Sequence, residues 1–322
     1  MPRDASHRHA RRKRGERTDA MRTHYRALVV TSARIWIAGA RPRTLPAAVV
    51  PVVIGAAVAT TVTGIDGARY AVHGGLALVV SVALQIAVNY ANDYSDGVRG
   101  TDTVRQGPMR LVGSGAASAA AVKRAALLAF AAAGVAGLLL AVLTSWWLVP
   151  VGAIAMLAGW TYTGGPKPYG YVGLGELFVF VFFGLVATAG TTYVIAETVN
   201  RLSLISGALA GCLAVALLVV NNLRDIDTDR ASNKRTLAVR VGASRTRVIY
   251  GALYASATGL MLLAMVDVPT AAIGVVGMLA AFPAIATVRS ARTAPELIAA
   301  LGMTARAQLV IGVLYSVGLA IQ

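Results

Sequence analysis

Three aspartates follow the second long apolar segment of the chain. The stretch QIAVNYANDYSDGVRGTD, residues 85–102, contains Asp93, Asp96 and Asp102. Ionisable side chains in or beside a bilayer are costly, so they are considered first as functional residues. Asn89, Asp93 and Asp96 follow one another at helical spacing, which places them on one face of a helix.

A second acidic cluster follows the sixth apolar segment. The stretch LLVVNNLRDIDTDRASNKRT, residues 217–236, contains Asn221, Asp225 and Asp229 on one predicted helical face, while Asp227 points elsewhere. A single aspartate at a helix end is commonly a cap or a solvated charge. Two clusters with matched spacing indicate a shared site instead.

The two acidic faces together predict a magnesium site. Asp93, Asp96, Asp225 and Asp229 would present four carboxylates across a cavity, with no His or Cys cluster beside them. Oxygen ligands alone favour Mg²⁺ over zinc or iron, and Mg²⁺ held by a few carboxylates commonly shares its other positions with substrate phosphates.

Basic residues flank both clusters and indicate diphosphate chemistry. The nearest are Arg99, Arg224, Lys234 and Arg235. A diphosphate bridged by metal ions and held by cations is a good leaving group, because its developing charge is neutralised in place. Beside a lipid-accessible cavity, such a site suits a polyprenyl diphosphate, with its head at the membrane surface and its tail among the helices.

The elements that position these residues are predicted membrane spans. Of the 322 residues, 57% are hydrophobic and 14% charged, whereas soluble domains average about 25% charged. Nine apolar stretches approach the roughly 20 residues that cross a bilayer. They lie at about 44–64, 72–92, 124–144, 146–163, 174–196, 202–223, 247–266, 270–288 and 305–321.

The basic residues predict the orientation of these spans. Only Arg69 and Arg201 of the 30 Lys and Arg residues fall in the connections assigned to the outer face. This bias places the N-terminus and both acidic clusters on the cytoplasmic side of the cell membrane, and the C-terminus outside. Contact with anionic lipid and cytoplasm then explains the net charge of +16 without nucleic-acid binding.

The spacing of the clusters predicts a repeat. Four spans separate them, so both return to the same face. We therefore predict an all-α polytopic membrane protein of nine transmembrane helices, in which two four-helix repeats and a ninth helix surround a central cavity. Residues 1–33 are predicted to be a basic, disordered cytoplasmic tail, and residues 34–322 the membrane domain.

Four stretches of the chain resemble a known family. They are ARPRTLPAAVVPVVIG at 40–55, NYANDYSDGVRGTD at 89–102, YTGGPKPYGYVGLGE at 162–176 and NNLRDIDTDRASNKRTLAVRVG at 221–242. With them the sequence resembles the UbiA superfamily of intramembrane prenyltransferases, most closely its menaquinone branch (the MenA type). The resemblance implies nine helices around a cavity and two Asp-rich motifs that bind Mg²⁺ and diphosphate.

The resemblance also implies individual site residues. The two motifs fall on Asn89, Asn92, Asp93, Asp96, Asn221, Asn222, Asp225 and Asp229, followed by Lys234. Many superfamily members carry a further Asp four residues after the position of Asp96. Here that position is Gly100, and Asp102 lies two residues later, as in the menaquinone branch.

The loop YTGGPKPYG at residues 162–170 supplies further candidates. Lys167 is its only basic residue, and we expect it to contact the diphosphate or the carboxylate of the acceptor. Arg43, just before the first span, either does the same or anchors the topology. Tyr162 belongs either to the substrate site or to the interfacial aromatic belt, and Glu176 either orients the acceptor or caps a helix.

The implied reaction joins a polyprenyl group to 1,4-dihydroxy-2-naphthoate, with loss of diphosphate and CO₂, to give demethylmenaquinol. Metal-assisted departure of diphosphate would leave an allylic cation that an electron-rich ring attacks in a dry cavity. The same superfamily offers an alternative acceptor, such as 4-hydroxybenzoate or homogentisate. An ion-coupled transporter is a remote alternative, since its charges would lie near the middle of the membrane.

Overall fold

The computed structural model describes residues 33–100 and 109–322, and every regular element within these ranges is a helix. The longer helices are α1 (Ala33–Thr44), α2 (Pro46–Ala59), α3 (Gly67–Arg99), α4 (Ala119–Leu143), α5 (Leu148–Thr161), α6 (Gly175–Ala196), α7 (Arg201–Arg224), α8 (Ile226–Ala231), α9 (Leu237–Ala264), α10 (Pro269–Ser290) and α11 (Ala294–Ala320). The predicted tail, except for residue 33, and Asp102 lie outside the described residues.

Within the described ranges, seven helices are long and apolar enough to cross a membrane: α3, α4, α6, α7, α9, α10 and α11. This confirms the prediction of an all-helical, multi-pass membrane protein. Helices α1 and α2 meet at a bend of 53° and together form one more candidate span, while α5 is an apolar helix of 14 residues. The count of nine spans and the division into two repeats stay predictions.

The length of α3 carries the first acidic cluster beyond the apolar layer. The Asp66 side chain caps its start by accepting from the Arg69 N–H, and Gly100 ends it with a left-handed φ of 72°. Its 33 residues extend about 50 Å at 1.5 Å per residue, more than the roughly 30 Å hydrocarbon core of a bilayer. The polar last turns of α3 therefore lie toward a membrane face.

Helix α7 forms the centre of the bundle. In its most apolar stretch 83% of the residues are buried, against 22% in α3. It crosses α6 where the Phe180–Val186 segment is wound as a π-helix, and Gly184 there faces Gly207 and Gly211 of α7. Small residues at such crossings let two helix backbones approach closely.

Helix α7 is interrupted at Asp225, within the second acidic cluster, and the short helix α8 follows. Asp225 separates α7 from α8 with φ −95° and ψ 6°, so residues 221–229 are not one continuous helix. After α8, Asn233 adopts a left-handed φ of 60°, and the Lys234 N–H donates to the Asp229 carbonyl over 2.8 Å. This turn brings Lys234 back alongside Asp229.

We predict that Gly184→Ala destabilises the bundle. Its added Cβ would lie 2.5 Å from Gly211 Cα and 2.7 Å from the Gly207 carbonyl oxygen. Overpacking of this kind costs about 1–3 kcal/mol, measurable as a lower midpoint of thermal unfolding in detergent. Gly259→Ala is the matched control, because no atom lies within 4 Å of its added Cβ. Equal midpoints for the two variants would contradict the close crossing.

Candidate active site

A cavity of about 760 Å³ lies among the helices and has one polar and one apolar end. Ala77 and Asp96 both line it, and their separation along α3 corresponds to about 28 Å at 1.5 Å per residue. The apolar end includes Val52, Leu140 and Val194. The polar end is lined by Arg41, Arg43, Asn89, Asn92, Asp96, Arg110, Tyr162, Thr163, Asn221, Asn222, Arg224, Asp229 and Lys234.

Lys234 lies between the two acidic clusters. Its Nζ is 3.6 Å from Asp96 Oδ2 and 3.9 Å from Asp229 Oδ1. The Tyr171 hydroxyl donates to Asp96 Oδ1 over 2.7 Å, and Lys234 Nζ lies 5.0 Å from the centre of the Tyr171 ring. The structure therefore brings together one carboxylate from each cluster around a single ammonium group.

Asp93 is fully buried and does not line the cavity. Its Oδ2 accepts from the Leu111 N–H over 2.8 Å and its Oδ1 from the Val112 N–H over 3.0 Å. In this position Asp93 ties the 111–112 backbone to α3 and leaves the adjacent Arg110 at the cavity wall. The predicted metal-ligand role of Asp93 stays a prediction.

Asp225 is likewise buried behind the cavity wall. Its two oxygens accept from Arg224 Nε over 2.8 Å and Arg224 Nη2 over 2.7 Å, while Arg224 Nη2 also donates to Asn221 Oδ1. The stripe predicted from Asn221 through Asp229 assumed one helix, but the chain turns at Asp225. The described residues accordingly contain no group of three or more acidic, His or Cys side chains placed to hold a metal ion.

The asparagines of both clusters line the cavity. Asn89 Nδ2 donates to the Ala40 carbonyl over 2.9 Å and to Thr44 Oγ1 over 3.1 Å. Asn92 Oδ1 accepts from Thr163 Oγ1 over 2.7 Å. In the second cluster, Asn222 Nδ2 donates to Glu176 over 2.9 Å. Their predicted contacts with substrate stay predictions.

The predicted basic residues divide into two groups. Arg43, Arg224 and Lys234 line the cavity. The Arg99 guanidinium instead donates to the carbonyls of Thr163 and Gly165, which ties the end of α3 to the loop after α5. Lys167 is exposed and lies outside the cavity lining, so the structure does not bring it to the carboxylates.

Tyr162 and Tyr169 line the cavity as an edge-to-face pair, with ring centres 5.4 Å apart. Burial raises the pKa of Tyr169, which lies in the loop after α5. Phenols have an ordinary pKa of about 10, so its hydroxyl is protonated at neutral pH. Tyr162 belongs to the cavity rather than to a lipid-facing belt.

Several residues of the site were not predicted from the sequence. Tyr171 holds Asp96, while Arg41, Arg110 and Thr163 line the cavity. The Arg41 guanidinium donates to the Asn89 carbonyl over 3.3 Å, which draws α1 toward α3. The two tyrosines of the KPYGY stretch were a visible signal, but spacing within a loop does not indicate which side chain turns inward.

The donor set at the polar end fits a magnesium ion. Asp96 and Asp229 converge on the Lys234 ammonium, a cation held between opposing carboxylates. Mg²⁺ commonly takes one or two carboxylates and completes its shell with water and substrate phosphate. Nη1 of Arg224 is buried at the cavity wall without a hydrogen-bond partner among the described residues, and so offers a donor to an anion.

Comparisons with known proteins point to one family. A profile of the UbiA prenyltransferase family matches residues 48–305. The 1,4-dihydroxy-2-naphthoate octaprenyltransferase of Mycobacterium tuberculosis is 49% identical over 281 residues, which cover 85% of this chain and 93% of that protein.

Solved structures share the fold. A UbiA homologue from Aeropyrum pernix superposes with a TM-score of 0.65 at 15% identity, covering 83% of this chain and 95% of that one. A UbiA homologue from Archaeoglobus fulgidus bound to DMAPP and Mg²⁺ superposes with a TM-score of 0.60 at 14% identity, covering 88% and 98%.

We predict that Asp96→Asn and Asp229→Asn weaken the binding of Mn²⁺, used as a spectroscopic substitute for Mg²⁺, by at least about tenfold. Each removes one of the two carboxylates that a divalent ion would bridge. Binding is measured by electron paramagnetic resonance with inorganic pyrophosphate present. Asp227→Asn is the control, because its side chain is 97% exposed and contacts Arg230. Equal loss in all three variants would contradict the assignment.

Proposed function

The chain belongs to the UbiA prenyltransferase family, and on that premise we propose that it transfers a polyprenyl group to 1,4-dihydroxy-2-naphthoate. The reaction breaks the C–O bond to diphosphate and forms a C–C bond at the ring carbon that bears the carboxylate, which leaves as CO₂. The product, demethylmenaquinol, belongs to menaquinone biosynthesis. The observation that carries the proposal is the 49% identity with a naphthoate octaprenyltransferase over 85% of this chain.

The residues at the polar end would bind the diphosphate head with Mg²⁺. Asp96 and Asp229 would hold the ion, which when bound neutralises charge on the departing diphosphate. The buried Arg224 Nη1 and the Lys234 ammonium would donate to phosphate oxygens. On substrate binding, Lys234 would exchange part of its contact with the carboxylates for contact with phosphate.

The remainder of the cavity would hold the prenyl chain. Its apolar walls exclude water, so the allylic cation left by departing diphosphate meets the ring of the acceptor before it meets a hydroxide or water. Tyr162 and Tyr169 would contribute neutral aromatic rings, whose π electrons attract the positive charge of the allylic cation. This reaction requires no nucleophilic side chain from the protein.

We propose that the active site opens to the cytoplasm, with the N-terminus on the same side. The support is the charge bias, in which only Arg69 and Arg201 fall on the opposite side. Both are paired there, Arg69 with Glu197 at 2.6 Å and Arg201 with Asp267 at 2.7 Å. The other basic residues would lie on the cytoplasmic side of the membrane.

We expect Lys234→Ala to lower kcat/KM for the polyprenyl diphosphate by at least about 100-fold, a few kcal/mol of transition-state stabilisation. Lys167→Ala is the matched control, since Lys167 is exposed outside the cavity; it should change kcat/KM by less than about threefold. Kinetics of the purified variants test this. The reverse order of effects would restore Lys167 as the diphosphate contact and displace Lys234.

The identity of the acceptor has a direct test. With labelled polyprenyl diphosphate and carboxyl-labelled 1,4-dihydroxy-2-naphthoate, we expect one labelled CO₂ for each prenyl group transferred, and no transfer in excess EDTA. Parallel assays offer 4-hydroxybenzoate and homogentisate. A product that keeps the naphthoate carboxyl group would contradict the decarboxylating reaction, and transfer to 4-hydroxybenzoate or homogentisate alone would assign another acceptor within the same family.

A further inference from the structure

Four aromatic rings form one wall of the cavity. Tyr169 and Phe178 are stacked with ring centres 3.9 Å apart, Phe178 and Phe182 follow at 6.0 Å, and Tyr162 meets Tyr169 edge-on at 5.4 Å. All four line the cavity. We call these residues the aromatic wall. Because Tyr169 and Phe178 are stacked on each other, an incoming planar ring would meet mainly ring edges here, and edge-to-face contact adds attraction beyond the area it buries.

A polar pair is buried beside the aromatic wall. Asn222 Nδ2 donates to Glu176 Oε1 over 2.9 Å, and the two side chains belong to residues that are 6% and 9% exposed. A carboxylate only accepts hydrogen bonds. The Asn222 amide must therefore turn its NH₂ group toward Glu176, which leaves its carbonyl oxygen directed away from Glu176.

Asn222 is oriented toward the wall rather than toward the carboxylates. It follows Asn221 by one residue, a rotation of about 100° around α7. Leu218, one turn earlier on the same helical face, also lines the cavity. A Cβ added at Gly175 would lie 3.5 Å from Leu218 Cδ2 and 3.4 Å from Tyr162 Oη, so this face of α7 packs beside Tyr162.

The buried position of the Glu176 carboxyl is energetically unfavourable. It sits in the first turn of a predicted span, and its Oε2 is buried without a hydrogen-bond partner among the described residues. A buried carboxyl with one unsatisfied oxygen lowers stability. Such groups in membrane helices are functional candidates, and here the group has one defined effect, the orientation of Asn222.

We propose that the aromatic wall and Asn222 form the binding subsite for the aromatic acceptor. The acceptor ring packs against the edges of Tyr169 and Phe178, and one ring hydroxyl donates to Asn222 Oδ1. Glu176 is a positioning residue that acts through Asn222. The inference rests on the proposed function, and it assigns the subsite to a planar phenol rather than to the diphosphate or the metal.

The test separates acceptor binding from diphosphate binding. Glu176→Ala and Asn222→Ala should each raise KM for 1,4-dihydroxy-2-naphthoate at least about tenfold. KM for the polyprenyl diphosphate and the Mg²⁺ concentration for half-maximal rate should stay within about twofold. The double variant should lose no more than the worse single variant, because both act through one contact. Glu176→Gln, which keeps an acceptor oxygen for Asn222, should recover most of the loss.

Two further measurements keep the proposal testable if a polar variant folds poorly. Phe178→Leu should raise KM for the acceptor without changing the Mg²⁺ dependence. Wild type should bind 1-hydroxy-2-naphthoate or 1,4-dihydroxynaphthalene with an affinity that depends on the ring hydroxyls, and Asn222→Ala should lose that dependence. Gln308→Leu controls for the loss of a buried polar group, because Gln308 is fully buried and its amide lacks hydrogen-bond partners among the described residues.

The possible failures are distinguishable. If Glu176→Ala raises KM for the diphosphate or shifts the Mg²⁺ dependence while KM for the acceptor is unchanged, the pair serves the head group and the subsite is wrong. Unchanged kinetics in Glu176→Ala and Asn222→Ala would also overturn it. A wild-type protein that prenylates no naphthoate would instead contradict the proposed function, whatever the variants do.

Discussion

The ammonium group of Lys234 lies between two carboxylates from distant parts of the chain, and the architecture of the polar end depends on this arrangement. Asp96 ends a long span and Asp229 lies in the short helix after the central one. Two like charges at the edge of a low-dielectric bundle repel strongly unless a cation separates them. Lys234 therefore keeps the two carboxylates close together at the polar end, where Arg41, Arg43, Arg110 and Arg224 also line the cavity.

The other two motif aspartates, Asp93 and Asp225, also have partners that offset their charge. Asp93 is satisfied by two backbone N–H groups and Asp225 by a bidentate contact with its neighbour Arg224. Asp96 and Asp229, which line the cavity, contact the side chains of Tyr171 and Lys234. We therefore expect the contacts of Asp96 and Asp229 to change when a ligand enters, and the backbone contacts of Asp93 to persist.

Much of the fold could be predicted from the sequence because the membrane restricts the length and polarity of the segments that cross it. Apolar stretches of span length and the spacing of Asn89 to Asp96 follow from the bilayer or from helical periodicity, while the orientation inferred from the Lys and Arg residues stays a prediction. The direction of Asp225 could not be predicted in the same way. The prediction assumed one helix from Asn221 to Asp229, but the helix is interrupted at Asp225. Hydrophobicity does not mark that interruption.

The sequence also did not indicate which loop side chains contact the site. Lys167 and Tyr171 lie in one connection, and the charge of Lys167 made it the natural candidate, yet Tyr171 is the residue that contacts Asp96. A loop has no period, so side-chain direction there depends on tertiary contacts such as Arg99 with the Thr163 and Gly165 carbonyls. Glu176 presented a related difficulty. Its partner Asn222 lies 46 residues away, a pairing that neither local propensity nor motif spacing indicates.

The polarity of the cavity restricts how a substrate can bind. Charge is confined to one end, while Val52, Ala77, Leu140 and Val194 make the other end apolar. An amphipathic substrate can bind this cavity in one direction only, because the reverse orientation would bury its anionic head without partners. Its reactive bond, which joins head to tail, must then lie at the boundary between the two environments. The position of the chemistry would therefore follow from the polarity of the cavity before any catalytic group acts.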